Sequence, residues 1–318
     1  MHEFELIRRY FSRHSNSDSV VMGVGDDCAV LVPPGDQRLV ISVDTQISGR
    51  HFPKNAAPNL IAARALHCAV SDLAAMGAEP LWFTLALTLP TADGLWLESF
   101  SRGLYETAEA YAIDLVGGDT TKGHLTVTLQ VHGAVPEKSL LLRSGAKVGD
   151  RIFVTGTLGD AAAGLAVIEQ RLQTDEQNAR YLCKRFWQPE ARIRTGLMLR
   201  YMASAAIDIS DGLLADLGHL CEASGVGARV DCSKLPLSAE LLASAATGQA
   251  LEWALAGGDD YQLCFTAAPE HAEQLLVQAR NRALDVTCIG DIVLEPGIMN
   301  IRTNQPFQTK TTGFKHFA

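Results

Sequence analysis

The sequence predicts a two-domain protein of mixed α and β structure, and three observations support this. The chain has 318 residues, which is more than one hydrophobic core usually supports. Apolar residues make up 47% of it and charged residues 20%, as in ordinary globular proteins. Apolar runs typical of strands alternate with segments of helical periodicity along the whole chain. We therefore expect an α/β (α+β) fold.

The N-terminal elements are predicted from periodicity and from residues typical of helix boundaries. The longest predicted helix opens with Pro58 and is followed by Gly77, residues that favour a helix start and a helix end. Asp72 falls in its last turns. In chain order we expect a helix at 4–11, a strand at 38–44 that ends in Asp44, a helix at 58–76, a strand at 81–89, a helix at 95–112, and strands at 113–119 and 125–135.

The domain boundary is predicted in residues 136–150, which mix proline, glycine and charge. We place it so that the domains span residues 1–138 and 139–318. The second domain is again mixed α and β: a strand at 150–156, a helix at 159–170, a strand at 205–210, a helix at 211–223, a strand at 261–266, and a final helix and strand.

Charge and cysteine usage limit the function classes. The net charge of −9 argues against nucleic acid as a partner, because the phosphate backbone requires clustered Lys and Arg. No apolar run is long enough to cross a bilayer, and the N-terminus lacks a secretory signal, so we expect a cytoplasmic protein without a membrane partner. The seven cysteines show no CxxC spacing and are predicted to be reduced core residues.

Aspartates recur where predicted strands or helices run into glycine-containing turns. They are Asp26, Asp27, Asp44, Asp72, Asp119, Asp208, Asp211, Asp259 and Asp260. Several carboxylates that converge on one site repel each other unless cations are present. Mg²⁺ is typically held by carboxylates together with substrate phosphates, so an Asp-rich site suggests a phosphate-bearing ligand. Taken singly, each aspartate is also a common turn residue, and Asp211 could be an ordinary helix N-cap.

The common nucleotide motifs are missing. There is no GxxxxGK[ST] loop and no HRD or DFG set, and GVGDDC lacks the third glycine of a dinucleotide fingerprint. The glycine pairs before Asp119 and Asp259 provide backbone N–H groups that can approach phosphate oxygens, although two glycines are more often a plain turn.

Seven segments between residues 23 and 266 together resemble the thiamine-monophosphate kinase family, and they occur in the family's order. They are GVGDDCAV, ISVDTQISGRHF, AVSDLAAMGAEP, LVGGDTT, LLRSGAKVGDRIFVTGTLGDAAAGL, AIDISDGLLADLGHL and GGDDYQLCFT, with GFKHF near the C-terminus. The resemblance implies a relation to aminoimidazole ribonucleotide synthetase and selenophosphate synthetase. It also implies an N-terminal mixed sheet that pairs into a dimer barrel, and a C-terminal α+β domain that completes the active site.

The resemblance assigns roles to particular residues. The implied magnesium ligands are Asp27, Ser42, Val43, Asp44, Asp72, Asp119, Asp208 and Asp211. The implied ATP contacts are Gly118, Asp119, Arg143 and Ser210, and the implied thiamine monophosphate contacts are His51, Asp259 and Phe314. Among these, Asp44, Asp119 and Arg143 would carry catalysis. The family usually reads GGED where this chain reads GGDD, and it commonly has a hydroxyl residue at Val43, where a backbone carbonyl would have to serve.

The expected activity is ATP-dependent phosphorylation of thiamine monophosphate to thiamine diphosphate, with Mg²⁺ ions, by a homodimer. Two alternatives stay open. One is another ATP-dependent enzyme of the same superfamily, although residues 1–20 lack the reactive Cys and Lys of selenophosphate synthetase. The other is a sensor that binds nucleotide and metal without turnover. Outside the motif context, His51 could be a surface-loop histidine, Phe314 a tail aromatic, and Ser42 a strand serine that faces solvent.

Overall fold

A computed structural model describes residues 3–13, 15 and 17–309. Phe314 and the GFKHF motif lie outside these residues. The chain divides into two compact units, the first formed by Met1–Leu73 and Ala78–Lys138, the second by Ala74–Gly77 and Ser139–Ala318.

The first unit carries three helices and six strands in the part of the chain that the structure describes. In chain order they are α1 (Glu3–Tyr10), β1 (Val20–Met22), β2 (Val30–Leu31), β3 (Gln37–Ile47), α2 (Pro58–Ala75), β4 (Glu79–Leu89), α3 (Gly94–Tyr111), β5 (Asp114–Lys122) and β6 (Thr126–Pro136). The last two residues of α2 belong to the second unit.

Four of these strands form a mixed sheet in the order β3-β6-β4-β5. The β4 and β5 strands are parallel, which requires the crossover that α3 provides. Helix α3 starts where the Asp93 carboxylate accepts the N–H groups of Leu95 and Trp96, and it ends at Ala112 in the left-handed conformation. Its buried face includes Leu97, which is fully inaccessible. Strands β1 and β2 pair separately as an antiparallel ribbon.

Every element predicted in this unit is confirmed, but two strands run further than predicted. The strand predicted to end at Asp44 continues to Ile47, and the strand predicted to end at Asp119 continues to Lys122. Both aspartates therefore lie inside strands, and their predicted position at strand ends is wrong. The short β1–β2 ribbon was not predicted, because its strands have only three and two residues.

The second unit is built around a seven-stranded sheet. Its elements are β7 (Arg151–Thr155), α4 (Asp160–Ile168), α5 (Glu176–Trp187), α6 (Ile193–Leu199), β8 (Ala205–Ile209), α7 (Leu213–Ser224), β9 (Gly227–Val230), α8 (Ala239–Ser244), α9 (Thr247–Ala256), β10 (Gln262–Ala267), α10 (Pro269–Asn281), β11 (Val286–Val293), β12 (Gly297–Asn300) and β13 (Gln305–Pro306).

The strand order is β13-β12-β9-β11-β7-β10-β8, antiparallel throughout except for the β12–β9 pair. Strands β8 and β10 are buried along their whole length, which explains their continuous apolar sequence. Side chains of the central strands alternate between two core clusters. Val154 and Ile207 belong to one cluster, while Phe153 and Phe265 stack at 5.3 Å between ring centroids in the other.

The cysteine prediction holds only in part. All seven cysteines are free thiols, as expected. Cys68, Cys221 and Cys264 are buried, but Cys28 is exposed, so its assignment to the core was wrong. Among the described residues, no helix combines the length and the apolar character that a membrane span requires.

A half-buried histidine that bonds to the last residue of α3 predicts acid sensitivity of the fold. His67 Nδ1 lies 2.6 Å from the Tyr111 hydroxyl, and burial lowers the pKa of His67 from its usual 6.5 to about 4. As the pH falls, His67 is protonated in the unfolded chain before it is protonated in the folded protein. His67 therefore contributes stability above pH 6.5 that is lost as the pH falls towards 4. We expect His67→Gln to flatten this decline, which amounts to at most about 3 kcal/mol.

The measurement is the free energy of unfolding in urea at pH 7 and pH 5. His271→Gln is the matched control, because His271 is exposed on α10 and its replacement should leave the wild-type decline unchanged. Identical pH dependence in wild type and His67→Gln would contradict the assignment.

Candidate active site

In the first unit the structure brings three predicted metal ligands together. Ser42 and Asp44 are two residues apart on β3 and therefore share one face of the sheet. The Ser42 hydroxyl donates a short hydrogen bond to the Asp72 carboxylate of α2. Helix α2 thus covers the face of the sheet that carries Ser42, and the alternative that Ser42 faces solvent is wrong.

The carboxyl groups of Asp44 and Asp72 repel each other. Burial, and after it the negative charge of Asp72, raises the pKa of Asp44 to about 6. The hydroxyl of Ser42, bonded to Asp72, and the nearby carboxyl group of Asp44 provide only oxygen donors, which is the kind of set that a hard divalent cation prefers. Such a cation would relieve the repulsion that the metal-free cluster carries.

Two further predicted residues lie near this cluster in the chain. Val43, between Ser42 and Asp44, points to the opposite face of the sheet and is 56% exposed, so its side chain does not face the cluster. His51 is half-buried after the end of β3, and its Nδ1 accepts the N–H of Ile47 at 3.0 Å. This bond fixes the ring, so His51 is not a loosely held surface histidine.

Gly118 and Asp119 lie on the edge strand β5 and line a cavity. In the pairing register Gly118 is in line with Leu85, Leu129 and Asp44, whereas Asp119 is in the next row, opposite Ala86. Gly118 has φ 154°, and a side chain there would overlap the Leu85 carbonyl oxygen, so only glycine fits. The cavity is lined by apolar side chains and by two polar residues: Ile7, Phe11, Val24, Leu85, Leu115, Gly117, Gly118, Asp119 and Thr120.

Asp27 belongs to the exposed turn between β1 and β2, where its N–H bonds to the Asp26 carboxylate at 2.8 Å. Val24 of the same turn lines the cavity with Asp119. The turn therefore adjoins the Gly118–Asp119 segment, although no hydrogen bond or ion pair is described between Asp27 and the predicted ligands.

In the second unit, four predicted residues meet where β8 ends and β10 begins. Asp208 lies on β8 directly opposite Leu263 of β10, and only 5% of it is exposed. Ser210 and Asp211 follow in the turn that leads into α7. The Asp259 N–H donates to the Ser210 carbonyl at 2.8 Å, which joins the two turns.

The Ser210–Gly212 turn is held by a residue that was not predicted. Asp216, in the first turn of α7, accepts the N–H groups of Ser210, Asp211 and Gly212, each at 3.0 Å. Burial, together with the nearby charge of Asp211, raises the pKa of Asp216 to about 7, although the backbone donors oppose the shift. Gly212 is the N-cap residue of α7. The interpretation of Asp211 as an ordinary N-cap is therefore wrong.

Asp259 lies in a turn of unusual backbone conformation. Gly258, Asp259 and Tyr261 have φ values of 69°, 64° and 48°, in the left-handed region that non-glycine residues rarely adopt. A Cβ at Gly258 would lie 2.8 Å from the Ser210 carbonyl oxygen, so this position requires glycine. Asp260, between them, is 2% exposed, and its side chain points into the protein.

Arg143 is exposed on the segment before β7. Its neighbour Leu142 accepts the Ala206 N–H at 2.9 Å, and the Arg143 carbonyl accepts the Ser224 hydroxyl at 3.1 Å. These bonds fix the backbone beside β8 and leave the guanidinium directed to solvent.

The carboxylates do not form a ready-made metal centre. Within residues 3–13, 15 and 17–309, no three His, Cys, Asp or Glu side chains are close enough to hold a metal ion. The first unit provides the Ser42, Asp44 and Asp72 cluster, and the second unit provides Asp208 and Asp211. The assignment of all eight metal ligands stays a prediction.

Sequence reasoning missed Asp216 and gave no specific role to Asp260. A signal for Asp216 exists, because an acidic residue in the first helical turn after a Ser-Asp-Gly turn is typical of N-terminal capping. No comparable signal exists for Asp260, since its bonds join it to Gly159 and Ala161, about a hundred residues earlier in the chain.

Comparisons with known proteins agree with this architecture. Residues 25–135 match the N-terminal domain of the AIR synthase related protein family, and residues 147–298 match its C-terminal domain. The chain is 49% identical to thiamine-monophosphate kinase of Escherichia coli strain K12, over 99% of this chain and 98% of that protein.

Two solved structures are also similar. The thiamine-monophosphate kinase of Stenotrophomonas maltophilia K279a superposes with a TM-score of 0.87 at 41% identity, covering 92% of this chain and 93% of that chain. AaThiL complexed with AMPPCP and TMP gives a TM-score of 0.80 at 33% identity, covering 95% and 93%. This chain therefore belongs to the thiamine-monophosphate kinase family.

Proposed function

We infer that this chain transfers the γ-phosphoryl group of ATP to thiamine monophosphate and forms thiamine diphosphate and ADP. The observation that carries this inference is the match over both domains at 49% identity with a thiamine-monophosphate kinase. A relative that holds an ATP analogue together with TMP supports the same pair of substrates. The desolvated carboxylate cluster on β3 and α2 supports a reaction that involves polyanions and cations.

The acceptor needs little activation. The second pKa of a phosphate monoester is about 6, so a terminal oxygen of thiamine monophosphate is already ionised at neutral pH. That oxygen forms a bond to the γ-phosphorus, while the bond from the γ-phosphorus to the β–γ bridging oxygen breaks and ADP leaves. No general base is required. The protein must align two anions and neutralise the charge that spreads over the transferred group.

Ser42, Asp44 and Asp72 fit a magnesium site, because their donors are all oxygens and the charge of Asp72 adds to burial in raising the pKa of Asp44. Bound Mg²⁺ would supply charge neutralisation between the two polyanionic substrates. We propose that Asp27, Asp119, Asp208 and Asp211 and the Val43 carbonyl complete the ligand set.

The remaining residues hold the substrates in this proposal. Gly118 and Asp119 bind ATP beside the cavity, and Ser210 and Arg143 contact its phosphates. The Arg143 guanidinium can pair bidentately with phosphate oxygens. His51, Asp259 and Phe314 contact thiamine monophosphate, where the Asp259 carboxylate would face the cationic thiazolium. ATP and thiamine monophosphate are the proposed partners, in the cytoplasm, where free thiols such as those of this chain persist.

A coupled assay with ATP, Mg²⁺ and thiamine monophosphate tests the function. Catalytic formation of thiamine diphosphate is expected. Stoichiometric binding without diphosphate would favour the sensor alternative, and turnover with a different phosphorylated acceptor only would favour another enzyme of the superfamily.

The carboxylate pair leads to the first activity prediction. Asp44→Asn should lower kcat at least about 100-fold, because removal of a metal ligand weakens transition-state charge neutralisation. The unfolding free energy of the metal-free protein should stay the same or rise, since the replacement removes a buried charge that Asp72 repels. Steady-state kinetics and urea unfolding measure both effects.

Asp114→Asn is the matched control for this prediction. Asp114 starts β5 in the same sheet and accepts the Ser15 hydroxyl at 2.8 Å, outside the cluster. Its replacement should leave kcat within about twofold of wild type, because Asp114 is none of the proposed metal or substrate ligands. Wild-type kcat in Asp44→Asn, or equal losses in both variants, would contradict the role of Asp44.

The left-handed turn leads to a second prediction. Asp259→Gly removes the carboxylate but suits φ 64°, so the melting temperature should stay the same or rise. The KM for thiamine monophosphate should rise about tenfold or more, because a charged contact to the cation is lost. The KM for ATP should not change. A KM for thiamine monophosphate equal to that of wild type would exclude Asp259 from the acceptor site.

We also propose that the chain is a homodimer that pairs through the four-stranded sheet. Alternate residues of β3 expose an apolar strip on the face opposite to Ser42 and Asp44: Leu39, Ile41 and Val43 are 43%, 56% and 56% exposed. Exposed apolar strips of this kind are typical of protein interfaces. The dimer barrel implied by the family resemblance would cover it.

Ile41→Lys tests the dimer. Light scattering coupled to size exclusion should show a dimer for wild type and a monomer for this variant, because a buried lysine without a partner is costly at an interface. Leu95→Lys is the control, since Leu95 is 81% exposed on α3, away from the strip. A monomeric wild type would refute the proposal.

A further inference from the structure

The turn that carries Asp259 is fastened by a buried side chain with no assigned role. Asp260 points inward, and its carboxyl group accepts the Gly159 N–H at 2.7 Å, with the Ala161 N–H at 3.5 Å. Both donors belong to the start of α4, where backbone N–H groups have no partner within the helix. The Asp260 side chain thus joins the turn to the N-terminus of a helix about a hundred residues away.

The backbone around Asp260 is held as well. The Tyr261 N–H donates to the Ile209 carbonyl at 2.8 Å, and the Asp259 N–H donates to the Ser210 carbonyl at the same distance. The Asp260 carbonyl accepts the Gln262 side-chain amide at 3.2 Å. Gln262 is itself fixed, because its Oε1 accepts the Thr155 hydroxyl at 2.9 Å and the Arg192 Nε at 2.7 Å.

These bonds hold Asp259 and Tyr261 in a backbone conformation that non-glycine residues disfavour. Each non-glycine residue in the left-handed region costs on the order of 1 kcal/mol or more, and Asp259 and Tyr261 both adopt it. Such a turn persists only where the surroundings determine it. Asp260 lies between the two left-handed residues and points inward. Its neighbour Asp259 does not follow it into the core and is half-buried.

We propose that Asp260 is a positioning residue for the acceptor: by binding the start of α4 it holds Asp259 in the left-handed conformation in which Asp259 contacts thiamine monophosphate. This rests on the proposed function, since it assumes that Asp259 binds the acceptor. Asp260 touches no substrate and acts only through its neighbour. Loss of its carboxyl group releases the turn and removes the Asp259 carboxylate from its place.

The test compares two KM values in the full-length enzyme. Asp260→Ala should raise the KM for thiamine monophosphate about tenfold, a typical size for coupling between adjacent residues, and leave the KM for ATP within about twofold. Asp260→Asn keeps an acceptor for the Gly159 N–H and should restore most of the acceptor affinity. Equal rises of both KM values in Asp260→Ala would overturn the proposal.

Asp150→Ala is the matched control for general loss of stability. Asp150 is 3% exposed in the same unit, and its carboxylate accepts the Lys147 N–H at 2.9 Å and the Ser204 hydroxyl at 2.5 Å. Its replacement should lower the melting temperature without changing either KM. A rise in the KM for thiamine monophosphate as large as that of Asp260→Ala would show that Asp260 is merely structural.

The double variant separates this inference from the proposed function. In an Asp259→Gly background, Asp260→Ala should have no further effect on the KM for thiamine monophosphate, because the group that Asp260 positions is gone. An undiminished effect would refute positioning through Asp259. If Asp259→Gly alone has wild-type KM values, the acceptor role of Asp259 fails instead.

If Asp260→Ala does not fold, Gln262→Met provides the second variant. It removes the bond from the Gln262 amide to the Asp260 carbonyl and loosens the same turn. The same selective rise in the KM for thiamine monophosphate is expected, and an equal change in both KM values would count against the proposal.

Discussion

Burial of carboxyl groups is the physical constraint that the candidate site residues of each unit share. Burial raises the pKa of Asp44, Asp216 and Asp260 to about 6, 7 and 8. A buried charge is costly unless hydrogen bonds or a cation compensate it. At Asp216 and Asp260 the compensation comes from backbone N–H groups. At Asp44 the Asp72 carboxylate adds to the effect of burial instead of opposing it, so a cation bound beside this pair would lower the mutual repulsion.

The acidic character of the chain is consistent with a polyanionic substrate if cations lie between the two. A net charge of −9 disfavours direct binding of ATP to the protein surface. Cations held between protein carboxylates and substrate phosphates would turn this repulsion into attraction, because the protein and the substrate would each supply part of the ligand set. In the metal-free chain the Asp44 and Asp72 pair stores the repulsion that such binding would release. The pair therefore does not stabilise the metal-free fold, and this supports the proposal that it binds a ligand.

Much of the fold could be predicted from the sequence, because apolar periodicity reports burial directly. The helix at Pro58–Ala75 and the strand at Glu79–Leu89 were predicted within two residues at each end. The recurring aspartates of the sequence included Asp72, whereas Ser42 was indicated only by the family resemblance. The bond between them depends on tertiary packing of α2 on β3, which local pattern does not report. Short elements such as β9, with four residues, carry too little periodicity to be predicted.

The different burial of Asp259 and Asp260 could not be predicted from the sequence. The two residues are chemically identical and adjacent, and a pattern assigns them the same preference for a turn. Their difference arises from backbone conformation: the left-handed φ at Asp259 and Tyr261 turns one carboxylate outward and the next inward. Because only glycine fits at position 258, beside the Ser210 carbonyl, the turn cannot relax by moving towards that strand end. The inward carboxyl group accepts backbone N–H groups at the start of α4, and this attachment is a property of the folded chain that no local sequence pattern reports.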